Sequence, residues 1–208
     1  GAGRLRVGVG VEVRVPASSA NLGPGFDSVG CALGVWDTCR ATVTEQPGLV
    51  VTVTGEGAGA VPLDATHLVH RAMQVAWSEL GVEPPAGLAL DCRNEVPHGR
   101  GMGSSATAIV TGIVAAQGLH DLSRGLAGDD VDLGYDNSLA SRLEGHPDNA
   151  SASVHGSRVP DPRMPHRKCP NGGCASSSKS TSGSSNSASS RSCTYSVEIP
   201  AAALAAIQ

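Results

Sequence analysis

Lysine is missing from the first 156 residues of this 208-residue chain, which carry 9 arginines against 17 acidic residues, a net charge of −8. Residues 157–208 carry 6 basic and 2 acidic residues, a net +4. Aromatic residues are scarce too: one Phe, two Tyr and two Trp, 2% of the chain. These shortages disfavour a nucleic-acid partner, which needs basic stripes and rings for base stacking. The core must be built from Val, Leu, Ile and Ala, and a hydrophobic content of 40% is enough for one. No apolar run approaches the ~18 residues of a membrane span. No charged stretch followed by an apolar one marks a secretory leader. The expectation is a cytoplasmic protein with no membrane partner. The sequence opens on Gly1 rather than Met, so the natural N-terminus is expected to lie upstream. The length suits one full domain or one and a half small ones.

Cysteine usage fits a reducing compartment. Cys31, Cys39 and Cys92 are scattered among apolar residues and read as buried free thiols. Cys169 and Cys174 frame Pro-Asn-Gly-Gly, wider than the spacing of a zinc pair and without a second pair. His67, His70, His98 and His120 have no metal-like spacing and read as surface or core.

The texture changes where the charge does. From Ser157 the chain is Pro/Arg-rich, then Ser-rich with almost no apolar residues, and residues 157–194 are expected to be disordered. A short apolar tail runs from Tyr195 to Ile207.

The front part alternates strand and helix patterns. Val9 to Val15 alternates with period two and predicts a half-buried strand, ended by Pro16. Further strands are expected near Thr38–Thr44, Leu49–Thr54 and Leu88–Glu95. Asp64 or Thr66 can cap a helix running to Leu80, with Leu68, Ala72, Val75, Ala76 and Leu80 on its apolar face and Gly81 as its stop. A second helix is expected from Ser104 to Gly118, and a short third from a cap at Asp136 or Asn137 to Glu144. Strands mixed with helices make this α+β or α/β.

Three strings carry chemistry. Val96 to Thr107, VPHGRGMGSSAT, follows a strand and opens a helix. Its glycines allow positive φ, so free N–H groups and the helix dipole can converge on one spot. That is a phosphate cradle, although no Lys follows the last Gly as in a Walker loop. Without lysine, a polyphosphate must be neutralised by backbone amides, Arg100 and a divalent ion. Ser104 and Ser105 offer one hydroxyl to a phosphate oxygen and one to Mg2+. The bland alternative is a Gly-rich connection before a small-residue helix. Val15 to Gly30, VPASSANLGPGFDSVG, is a stiff loop displaying short polar groups, either a small-ligand site or an ordinary turn. Leu143 to Gly156 places Glu144, His146, Asp148 and Asn149 close together. A carboxylate at a helix end can serve Mg2+, or the segment is a helix end followed by an Asp-Asn turn.

VPHGRGMGSSAT resembles the ATP-binding signature of the GHMP kinases, P-x-x-x-G-[LM]-G-S-S-A, at every position. The first loop is similar to P-A-S-x-A-N-[LI]-G-P-G-F-D of the homoserine kinases within that family, and the third string resembles their E-G-x-x-D-N region. The resemblance covers about residues 9–156. It implies the family's N-terminal domain, an α+β fold of ribosomal-protein-S5 type. By the same resemblance, the family's ferredoxin-like C-terminal domain is expected to be largely missing from this sequence. It implies ATP bound along Pro97, Gly99, Arg100, Gly101, Met102, Gly103, Ser104, Ser105, Ala106 and Thr107. Mg2+ would sit on Ser105 and Glu144, and the small-molecule substrate L-homoserine on Asn21, Asp27 and Ser19. Asn149 would lie near the attacking hydroxyl, with Asp148 as candidate base and Arg100 as a neutralising cation.

Thr66 to Ala72 is similar to the family's N-L-V-x-R-A segment near the adenine, with His67 where Asn is usual. After Gly156 the family pattern breaks. No third Gly-rich motif follows, and Arg158, Arg163 and Arg167 align with no carboxylate-clamping motif. The break reads as a frame change or replaced segment, and the tail as a remnant of the C-terminal domain. The functional expectation is a truncated homoserine kinase of the threonine route. The alternatives are a catalytically dead nucleotide-binding remnant and another small-molecule kinase of the family. The oligomeric state, a homodimer included, is not legible.

Overall fold

Alternating valines fix the first strand. Val11, Val13 and Val15 are 0% exposed, while Glu12 and Arg14 between them are half-buried on the opposite face. The computed structural model describes residues 4–20, 29–126, 133–144, 153–154, 193–198 and 204–206. Strand β1 spans Val9–Ala20, β2 Val29–Val43, β3 Gly48–Gly55 and β4 Gly87–Asn94. The helices are α1 (Leu68–Leu80), α2 (Ser104–Ser123) and α3 (Leu133–Glu144), and the tail supplies β5 (Cys193–Glu198) and β6 (Leu204–Ala206).

The sheet runs β3-β4-β2-β1-β5, with β6 pairing β2. β1 and β2 are antiparallel, as are β2 and β4, while β3–β4 and β1–β5 are parallel. Register places Val13, Cys39, Cys92 and Val53 in one row across the sheet, and Val11, Ala41, Leu90 and Val51 in the next. These rows, with α1 and α2, make the core. The opposite face carries an Arg40–Glu12 pair at 3.4 Å and the Arg14 guanidinium over the Trp36 ring at 4.9 Å. Exposed contacts of this kind contribute about 0–1 kcal/mol each.

The strand through Val15 does not stop at Pro16. It continues to Ala20, with a register irregularity between Pro16 and Ser18. Proline is tolerated in a strand where its missing N–H is not needed, and among the described residues the pairing of β1 with β5 runs to Arg14. β2 starts nine residues before Thr38 and passes through two glycines, Gly30 and Gly34.

Helix α1 buries Val69, Ala72, Met73, Ala76 and Trp77, so its apolar face is rotated from the expected one. Leu68, Val75 and Leu80 pack at the flanks of the core. Its N-cap is His67, with no side-chain cap. The Asp64 carboxylate instead accepts the Thr66 N–H at 2.8 Å and the Thr66 hydroxyl at 2.6 Å, closing a turn just before the helix. Gly81 ends it in a left-handed conformation, φ 64°. Trp77 is fully buried and donates its indole N–H to the Ala116 carbonyl at 3.2 Å, tying α1 to α2. Truncating such a ring costs about 3–5 kcal/mol.

Helix α2 is apolar almost all round and lies between the sheet and the other helices. Gly112 lets it approach α1: a Cβ there would stand 2.4 Å from the Val69 carbonyl oxygen. α3 begins at Leu133, so Asp136 and Asn137 lie inside the helix rather than at its cap. It ends at Glu144, and Arg142 pairs with Glu79 of α1 at 3.2 Å.

Candidate active site at the glycine turn

The turn between β4 and α2 is built on glycine backbone. Gly99, Gly101 and Gly103 all take left-handed backbone, with φ of 67°, 68° and 69°. A side chain pays about 1–2 kcal/mol for that conformation. A Cβ at Gly99 or Gly101 would meet nothing within 4 Å, so the space in front of the turn is open. Gly103 is the N-cap of α2, and no side chain among the described residues caps the helix. Its first N–H groups are therefore available to an anion, with the helix dipole behind them.

One oxygen anchors the approach to this turn. Asp37 of β2 accepts the N–H groups of Glu95 and Val96 on the same Oδ1, at 2.8 and 2.9 Å. Asp37 is 7% exposed. Burial pushes its carboxyl above the usual aspartate value, partly offset by those two N–H donors and by His98. Sequence reasoning passed over this residue. The signal was available: Val43, Ala41 and Cys39 alternate inward along β2, and Asp37 is the next inward position.

The far side of the turn meets two other strings. The Ser105 hydroxyl donates to Glu144 Oε1 at 3.0 Å, joining the first turn of α2 to the last residue of α3. The Ser18 N–H donates to the Met102 carbonyl at 3.0 Å, fastening the end of β1 to the glycine turn. Ser19 follows Ser18 in β1, opposite Cys31. The end of β1 is thus held beside the turn. Asn21 and Asp27 themselves lie outside the described residues, as do Asp148 and Asn149. Pro97 is half-buried, and Arg100 is exposed on the turn. Ala106 and Thr107 are fully buried, and the Thr107 hydroxyl donates to the Gly103 carbonyl at 2.6 Å, bracing the helix start.

Ser105 and Glu144 are hard oxygen donors close enough to share one small divalent cation, and that donor chemistry suits Mg2+. Among the described residues no group of three or more His, Cys, Asp or Glu side chains could hold a metal. A magnesium ion here would need its remaining ligands from water and phosphate, as this ion commonly takes them.

A cavity of about 200 Å³ opens next to Ser104. Its floor is Asp37, Cys39 and Cys92, and its walls include His67, Arg71 and Thr111. His67 is 6% exposed, and its Nδ1 has no hydrogen-bond partner among the described residues. Burial pushes its pKa below the ordinary histidine value, with His70 adding to the effect. Of the four histidines read from the sequence as surface or core, His67 and His98 border this cavity.

Comparison with known proteins agrees with the geometry. Residues 67–157 match the GHMP kinases N terminal domain. A homoserine kinase of Leifsonia xyli is 51% identical over 149 residues, 72% of this chain and 44% of that protein. A homoserine kinase of Corynebacterium urealyticum is 50% identical over 155 residues, 74% of this chain and 48% of that protein. The crystal structure of a homoserine kinase from Cytophaga hutchinsonii superposes with a TM-score of 0.58 at 25% identity, covering 71% of this chain and 47% of that one. The chain spans about half the length of the curated relatives it matches. No helix among the described residues is long and apolar enough to cross a membrane. With its glycine turn, its Ser105–Glu144 contact and these similarities, the chain carries the N-terminal domain of the GHMP kinases and belongs to that family.

Proposed function

We propose that this chain is the nucleotide-binding part of a homoserine kinase, which transfers the γ-phosphoryl group of ATP to the side-chain hydroxyl of L-homoserine. The observation that carries the reading is the hydrogen bond of Ser105 to Glu144 at 3.0 Å, beside three left-handed glycines at an uncapped helix start. The resemblance at about 50% identity to proteins named homoserine kinase supports the substrate assignment.

The residues divide the work. Backbone N–H groups of the turn and of the α2 start hold the triphosphate, and exposed Arg100 adds positive charge. Glu144 and Ser105 hold Mg2+, which when bound neutralises phosphate charge. The cavity beside Ser104 takes the nucleotide base, with neutral His67 and Thr111 on its walls. Asn21, Asp27 and Ser19 bind the amino acid, with Asp27 facing its ammonium group, and Asn149 and Asp148 lie near the attacking hydroxyl. A loose phosphoryl-transfer transition state needs positioning and charge neutralisation more than a strong base. Residues 1–156 carry the site residues of this unit, and β5 and β6 pair into the same sheet.

A second reading has its own support. It is a nucleotide-binding remnant without turnover, supported by Arg158, Arg163 and Arg167 aligning with no motif for clamping the substrate carboxylate. A coupled ADP-release assay separates the two. Homoserine-dependent ADP release that drops at least ~100-fold in Ser105→Ala and Glu144→Ala, a loss of about 2.7 kcal/mol in transition-state stabilisation, supports the kinase. Binding of Mg·ATP with no homoserine-dependent release supports the remnant. Release stimulated equally by mevalonate or galactose contradicts the substrate assignment.

A further inference from the structure

The cavity floor carries chemistry that phosphoryl transfer does not use. Cys39 of β2 and Cys92 of β4 are direct partners across the antiparallel pair. Both are free thiols, each 2% exposed. Cys92 donates its S–H to the Cys39 Sγ at 3.2 Å, and both residues border the cavity. Directly opposed residues of an antiparallel pair hold their Cα atoms about 4.5 or 5.5 Å apart, and a disulfide accepts about 4.4–6.8 Å. The backbone spacing is therefore already right for a covalent bridge. Closing the sulfurs from 3.2 Å to the ~2.05 Å of a bond asks for side-chain rotation, not for movement of a strand.

We propose that Cys39 and Cys92 form an oxidisable dithiol, which a small hydroperoxide entering through the cavity converts to a cross-strand disulfide. The electrons balance in two steps. One thiol, as thiolate, attacks the distal oxygen of the hydroperoxide. The O–O bond breaks, giving a sulfenic acid and the corresponding alcohol, or water from hydrogen peroxide. The second sulfur then attacks the sulfenic sulfur. An S–S bond forms, the S–O bond breaks and water leaves. Two thiols are oxidised and one peroxide is reduced. An excess of a small thiol reverses the change by exchange.

The surroundings set the pace. The bond from Cys92 and burial push the Cys39 thiol well above its ordinary value, and the carboxylates of Asp91 and Asp37 push it the same way. His67, His98 and Arg71 border the same cavity and bring the only basic groups near the pair among the described residues of the cavity wall. The Cys39 thiolate is thus rare at neutral pH, so attack through Cys39 is slow there and faster in mild alkali. The bridge would join β2 to β4 under the cavity, two residues from Asp37 on one strand and two from Asn94 on the other.

The test needs the unmodified full-length chain. The reduced protein is exposed to hydrogen peroxide near neutral pH and in mild alkali. It is then quenched, denatured, alkylated, digested and mapped by mass spectrometry. The expected product is a peptide pair linked through Cys39 and Cys92. It should form faster in alkali and be released by a phosphine. In Cys92→Ser the same dose should leave Cys39 unlinked and trap a sulfenic acid there with dimedone. Recovery of both cysteines fully alkylated at every dose that leaves the chain folded would overturn the proposal. So would linkage of either one mainly to another of the six cysteines.

Discussion

Asp37 does two jobs with one atom: it fills an inward position of β2 and it terminates two backbone N–H groups that lead into the glycine turn. Both bonds fall on the same oxygen, so Asp37→Asn keeps an acceptor in place and removes a buried charge. The expected result is a stability equal to or slightly above that of the parent. Asp37→Ala leaves both N–H groups without a partner and should cost about 2–4 kcal/mol in urea denaturation. Equal behaviour of the two variants would show that the acceptor is unimportant. His67 gives the matching pH prediction. Burial lowers its pKa in the folded chain, so the unfolded chain binds the proton first as pH falls. Its contribution to stability is fully present above the unfolded value of about 6.5 and is lost as pH drops below it. The urea midpoint should therefore fall between about pH 7.5 and pH 5.5, and His67→Gln should flatten part of that slope.

At the level of elements, the contact of α1 with α2 is set by a missing side chain. Gly112 has backbone and side-chain atoms of α1 where its Cβ would go, including the Val69 carbonyl oxygen at 2.4 Å and the Ala72 Cβ at 2.6 Å. Gly112→Ala should destabilise the chain by about 1–3 kcal/mol despite alanine's better helix propensity, read as a lower midpoint in thermal or urea unfolding. Much of this architecture was legible. The period-two valines of β1, the left-handed stop at Gly81 and the serine start of α2 follow directly from residue type. The misses have physical causes. Gly118 looked like a helix end, but α2 continues to Ser123 because that glycine rides on β1, where a Cβ would sit 3.0 Å from Val11 Cγ2. Pro16 looked like a strand end, but the irregularity after it absorbs the proline. Trp77, not Leu80, defines the buried face of α1, and one large ring rotated the whole stripe.

On the scale of the whole molecule, the sheet brings together groups distant in sequence. β1 delivers Ser18 to the glycine turn, β2 delivers Asp37 to its approach, and α3 delivers Glu144 to Ser105. The serine and glutamate were legible because their strings resemble a family signature. The Cys39–Cys92 pairing was not, since only the register of β2 against β4 sets two scattered cysteines side by side on the cavity. The account rests on amide dipoles and a magnesium site doing what lysine does elsewhere, in a domain that has no lysine in its first 156 residues. Titration calorimetry of the full chain with ATP, with and without Mg2+, tests this most directly. The account predicts ATP binding that is strengthened by Mg2+ in the parent, and a loss of at least ~10-fold, about 1.4 kcal/mol, in Glu144→Ala confined to the Mg2+ condition. Affinity that ignores both the metal and the Glu144 substitution would contradict it.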